Sequence, residues 1–149
     1  MRLEYFEIDK ETQKAEKLKP SYVDKITSER RMKKVYVVSI CGSILGGNGT
    51  RLDRAIKTFG NAPGGYEGLK LLLDMSGIPL IDSAGVGVLM DDMKCIKENS
   101  GELVLANIPQ PVEQVLEFTR AKDMFRQYHS TPGSSMGEYA ILAFSAPHK

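Results

Sequence analysis

The stretch Leu71 to Leu89, LLLDMSGIPLIDSAGVGVL, constrains this chain more tightly than any other feature. Leu69 to Leu73 is an almost unbroken apolar run of strand length, the pattern of a strand buried on both faces of a parallel or mixed sheet. A short loop then delivers Asp82-Ser83. The small residues Ala84-Gly85-Val86-Gly87 open a segment in which Val86, Leu89, Met90, Met93 and Ile96 recur every three or four residues. That spacing predicts an amphipathic helix over residues 84–98, with Asp91, Asp92, Lys94, Lys97 and Glu98 on its wet face and a glycine stop at Gly101. Ser83 therefore sits at a helix N-terminus, where a hydroxyl has two uses. It caps a free backbone N–H, or it carries a phosphate that those N–H groups and the helix dipole partly stabilise.

Around this core the pattern alternates. Val35-Tyr36-Val37-Val38-Ser39-Ile40 is short, β-branched and aromatic, hence a strand. Gly46-Gly47-Asn48-Gly49 breaks the chain and lacks the Gly-Lys-Ser/Thr of a phosphate-binding loop. A short helix over 50–59 carries Leu52, Ile56 and Phe59 at helical spacing, and Glu102 to Ile108 is another strand. Pro109-Gln110-Pro111 presets a helix over 111–120. Strands alternating with one-sided helices predict an α/β arrangement: a mixed sheet of four to six strands with helices mainly on one face. Three zones follow. Residues 1–33 read as an edge strand, Arg2 to Ile8, and a polar mobile insertion from Asp9 to Lys19; the basic cluster Ser28 to Lys34 reads as a solvated face. Residues 34–131 are the globular domain. Residues 132–149 are a tail whose apolar Tyr139 to Phe144 is expected to add an edge strand or dock in a groove.

Composition narrows the function. The 149 residues carry 20 Lys+Arg against 19 Asp+Glu, a net charge of +1, so no global field recruits nucleic acid or an anionic membrane. No apolar run approaches a membrane span, and the first residues lack the apolar middle of a signal peptide, so a cytoplasmic setting is expected. Cys41 and Cys95 have neither zinc-site spacing nor disulfide density and read as reduced thiols in or near the core. Catalytic readings fare poorly. Ile81 stands where a nucleophile elbow needs glycine, and a Ser/His/Asp set around Ser83 rests on His129, since His148 stands close to the terminus. Gly85-Val86-Gly87 has Met90 in the third small position of a dinucleotide fingerprint. Asp74 and Asp82 have no further ligands to make a metal site, and they are better suited to shaping the loop around Ser83.

Asp74-Met75-Ser76 followed by Ile81-Asp82-Ser83-Ala84-Gly85-Val86-Gly87 resembles the hallmark of the STAS domain, and within it the free-standing anti-sigma-factor antagonists of bacteria. The likeness continues through Gly101 to Ile108, Pro111 to Arg120 and Met124 to Tyr128. It departs at Ala84, where antagonists usually carry a second hydroxyl, and at Gly42-Ser43-Ile44-Leu45, which lacks the usual carboxylates. The resemblance implies a regulatory, non-enzymatic module of transcriptional signalling that works by partner switching and needs no cofactor or metal of its own. Unphosphorylated, it binds an anti-sigma factor that is also a serine kinase of the histidine-kinase-like ATPase fold. Phosphorylation of Ser83 ends that binding, and a PP2C-type phosphatase restores it. Asp82, Ser83, Ala84, Gly85, Val86, Gly87 and Met90 would form the partner surface, with Asp74 and Ser76 shaping the loop. The alternatives are a scaffold-type STAS subunit of a signalling assembly and, from another class, a small Ser83-dependent hydrolase.

Overall fold

A computed structural model of the protein describes residues 1–145. Its frame is a six-stranded mixed sheet in the order β2-β1-β3-β4-β5-β6. The strands are β1 (Arg2–Asp9), β2 (Ala15–Leu18), β3 (Lys34–Cys41), β4 (Lys70–Gly77), β5 (Glu102–Ala106) and β6 (Arg126–Tyr128). β1 runs antiparallel to β2 and β3, whereas β3, β4, β5 and β6 are mutually parallel. Parallel neighbours need a crossover, and a helix supplies each one. α2 (Asn48–Gly60) joins β3 to β4, α3 (Ser83–Glu98) joins β4 to β5, and α4 (Gln110–Phe118) joins β5 to β6. α1 (Ser28–Lys33) precedes β3, and α5 (Met136–Ser145) ends the described chain.

Alternation along β4 divides the core in two. Leu71, Leu73 and Met75 join Leu52, Ile56, Phe59, Val86, Leu89, Ile96 and Leu116 in the larger cluster beneath α2, α3 and α4. Leu72 points the other way, joining Ile8, Val35, Val37 and Val104 beneath Tyr139, Ala140 and Ala143 of α5. Three crossover helices thus share one face, and α5 covers the other.

Four expectations change. β1 is not an edge strand: the segment read as a mobile insertion turns back and pairs as β2, with Ile8 opposite Ala15 and Tyr5 opposite Leu18. Asp9 builds that turn by accepting the Glu11 and Thr12 N–H groups at 2.9 and 3.0 Å. The tail is a helix rather than an extra strand; of the two expectations it is docking that holds, against Leu72, Val37 and Val104, and residues 146–149 lie outside the described ones. Ser135 caps its start, its Oγ accepting the Glu138 N–H at 3.2 Å and donating to the Glu138 carboxylate at 3.1 Å. Gly137 is needed here because a Cβ would stand 1.8 Å from the Gln13 carbonyl oxygen in the β1–β2 turn. The basic cluster is only partly solvated. Arg30 forks onto Glu7 with two bonds of 2.6 Å, and Arg31 is buried with its guanidinium donating to the carbonyls of Phe59, Gly65 and Glu67. Finally, Cys41 is exposed at the end of β3 rather than packed in the core; Cys95 is half-buried.

Candidate functional site

The site forms where two loops run side by side at the C-terminal edge of the sheet. Beyond β3, the Ile44 N–H donates to the Leu80 carbonyl at 2.9 Å, and the Asp82 N–H returns to the Ile44 carbonyl at 3.1 Å. Ile44 and Ile81 form an isolated parallel bridge, and both are buried. This short ladder fixes the entry to α3. Asp82 is its N-cap: Oδ1 accepts the Gly85 N–H at 2.8 Å, and Oδ2 accepts the Gly46 N–H of the neighbouring loop at 2.8 Å. Those backbone bonds, Gly85 first and Gly46 second, hold its carboxyl below the usual range.

Because Asp82 does the capping, Ser83 does not. Ser83 is the first residue of α3 and is exposed, and its hydroxyl has no hydrogen-bond partner among the described residues. No bond links it to His129. Of the two uses that a hydroxyl has at a helix N-terminus, the structural one is already taken by its neighbour.

The other expected residues divide by exposure. Ala84 is exposed, and Gly87 and Met90 are partly so. Gly85 and Val86, expected on the partner surface, are buried and face the core. Gly85 is required by close packing: a Cβ there would lie 2.8 Å from Ile81 Cγ1 and 2.9 Å from Ile44 Cγ2. Around Gly87 a Cβ would meet nothing within 4 Å. Asp74 does not shape the Ser83 loop. It is buried on the α5 side of the sheet, where Oδ1 accepts the Ser76 N–H at 3.1 Å and Oδ2 accepts the Tyr139 hydroxyl at 3.3 Å. Burial, and then the Asp74 charge, push the Tyr139 phenol up. Ser76 is exposed beyond it.

Two residues absent from the expected set flank Ser83. Leu45 and Leu80 are 39% and 47% exposed on the paired loops. Large apolar side chains held outward in a ladder are a signal that single-sequence reading lacks, because their adjacency comes from the Ile44–Ile81 bridge.

The sequence model of the STAS domain family matches residues 27–134. This chain belongs to the STAS domain family. The solved structures it resembles include anti-sigma-factor antagonists. One from Mycobacterium paratuberculosis is 20% identical with a TM-score of 0.57, over 75% of this chain and 86% of that one. One from Planctomyces limnophilus, described as an anti-sigma-factor antagonist (STAS) domain protein, is 21% identical with a TM-score of 0.55, over 75% and 92%. The murine anion transporter Slc26a9 matches at 18% identity and a TM-score of 0.60, over 97% of this chain but 22% of the transporter. These likenesses establish the STAS fold. Among the described residues, no helix of this STAS protein is long and apolar enough to cross a membrane.

Proposed function

We propose that this STAS protein is an anti-sigma-factor antagonist, a regulatory protein without catalytic activity that works in the cytoplasm. Unphosphorylated, it binds an anti-sigma factor that is also a serine kinase; phosphorylation of Ser83 releases that partner, and a PP2C-type phosphatase resets it. One observation carries the reading: Ser83 is exposed on the first turn of α3 with its hydroxyl uncommitted, because Asp82 already caps the helix. Exposed Ala84, partly exposed Met90 and the flanking Leu45 and Leu80 complete a surface suited to a protein partner.

The switch is electrostatic. A phosphate adds about −1.5 to −2 charges and three acceptor oxygens. The helix end stabilises part of that charge, so the domain stays folded. Asp82 opposes it, and the Gly85 N–H is already engaged. In an interface packed around a neutral serine the dianion would be desolvated without a counter-charge, a cost of about 2 to 5 kcal/mol. At about 1.4 kcal/mol per decade, binding weakens by roughly 30-fold to several thousand-fold.

The test begins by capturing the kinase from extract of the protein's own cells. Calorimetric titration then compares the unmodified protein, the phosphoprotein, Ser83→Ala and Ser83→Asp. Ser83→Ala binds and resists phosphorylation, and Ser83→Asp binds less tightly than the unmodified protein but more tightly than the phosphoprotein. Equal affinity of phosphorylated and unmodified protein, or phosphate mapped to Ser76 alone, defeats the reading. So does ester or phosphoester turnover that Ser83→Ala abolishes.

A further inference from the structure

The seam between α2 and α3 holds a group for which the Ser83 site has no use. Asp92 lies in the middle of α3 and is 1% exposed, although helical spacing places it on the wet face. Neither oxygen of its carboxyl meets a donor among the described residues. A carboxylate deprived of both water and donors is costly, so such a group keeps a proton or finds a cation.

Helical spacing sets what it faces. Gly49, Asp53 and Lys57 follow at four-residue steps along α2, and Val88, Asp92 and Cys95 at four and three along α3. The helices pack closely at Gly49, where a Cβ would stand 3.1 Å from Val88 Cγ2. One turn further along, helical spacing sets Asp53 opposite Asp92, close enough to raise it, and the Lys57 ammonium lies 3.1 Å from Asp53 Oδ2. Two carboxylates only accept hydrogen bonds, so a bond between them exists only while one keeps a proton. Asp53 is partly exposed and salt-bridged, and a protonated Asp92 beside it, ahead of Lys57, holds its carboxyl low. Asp92 is walled in, and burial first and Asp53 second push its carboxyl up to about 8. The other groups facing the pair are Asp91 and Cys95 on α3 and Tyr66 from the loop after α2. Burial pushes the Tyr66 phenol up to about 12, so it stays neutral and brings no charge to the seam.

We propose that Asp53 and Asp92 share one proton that clamps α2 to α3, and that losing it loosens the end of α3 that carries Ser83. The path is short. Gly46, which donates to Asp82, stands just before α2, so both helices begin at the Ser83 loop pair and the clamp sits one turn below their close contact. The clamp needs no partner; only its consequence, that a partner senses it, rests on the proposed switch.

Thermal melts and hydrogen exchange from about pH 5 to about pH 9, run on wild type, Asp92→Asn and Asp53→Asn, test this. Asp92 holds its proton more tightly folded than unfolded, so wild-type stability falls as pH rises from about 4 to about 8, then levels off. The folding equilibrium constant drops by up to about tenfold per pH unit in that window. Asp92→Asn gives Asp53 a permanent N–H donor and shows no such fall. Protection of the Ser83–Val88 amides tracks the same window in wild type and is flat in the variant. Identical pH courses in wild type and Asp92→Asn overturn the clamp, and a global difference without one at Ser83–Val88 overturns its link to Ser83. If Asp92→Asn does not fold, Asp53→Asn decides: the wild-type fall must end at a lower pH, and an unchanged window overturns the proposal. Failure here leaves the phosphorylation titrations untouched, and their failure leaves this one untouched.

Discussion

Asp82 and Asp92 stand on the same helix and carry the same side chain, yet they sit at opposite ends of the carboxylate scale. Asp82 faces two backbone N–H groups, from Gly85 and Gly46, and is held ionised. Asp92 has no donor on either oxygen among the described residues, and burial and the Asp53 carboxyl favour its protonated form. Burial, ahead of the Asp53 carboxyl, sets the rise at Asp92, and the backbone donors set the fall at Asp82. A helix N-terminus and a loop turned inward offer N–H groups in abundance, whereas the middle of a helix has spent every N–H on its own backbone. At the Ser83 end of α3 a negative charge is therefore built into the fold; at the seam the pair keeps one charge, on Asp53 beside Lys57, and a second is excluded.

The largest expected effect comes from closing the space that lets Asp82 reach its donor. Gly85→Ala forces a methyl against Ile81 and Ile44, a loss of about 1–3 kcal/mol from overpacking. The opposing gain in helix propensity is at most about 1 kcal/mol. Denaturant melts should show net destabilisation, and an unchanged midpoint would show that the loop pair yields at no cost.

Asp82→Ala comes next. It leaves the Gly85 and Gly46 N–H groups without their partner and should lower the melting temperature by less than Gly85→Ala but clearly more than Ser83→Ala, which removes no bond. Its pH signature is opposite to that of Asp92. A lowered carboxyl contributes stability above its unfolded value and loses it as pH falls through the folded one, so the variant should lose part of the acid-side decline. Melting curves at neutral pH and from about pH 4 down to about pH 2 read this directly.

Lys57→Ala should have the smallest effect. Its ion pair with Asp53 is largely exposed and worth little to the fold. Lys57 does favour the charged form of both carboxylates, so carboxyl titration by NMR should show Asp53 and Asp92 moving up without a matching change in melting temperature. A large loss of stability would mean that the seam depends on the cation rather than on the proton.

Much of this protein was legible before its structure. Leu71 to Leu73, Val35 to Ile40 and the Val86–Leu89–Met93–Ile96 stripe form the expected strands and helix, because burial of apolar side chains enforces periods of two and 3.6 residues. Ser83 at the start of α3 follows from the same local chemistry, whereas the helical tail was not foreseen. Tertiary structure decided the rest. Whether Asp82 or Ser83 caps α3, whether Val86 is exposed, where Asp74 points and whether Asp92 is wet depend on groups distant in the chain: Gly46, Ile44, Tyr139 and Asp53. Periodicity records which residues avoid water, a property of each side chain and its near neighbours. The partners of a carboxyl are set by which loops and helices come together in space, and that proximity leaves no mark on the local pattern.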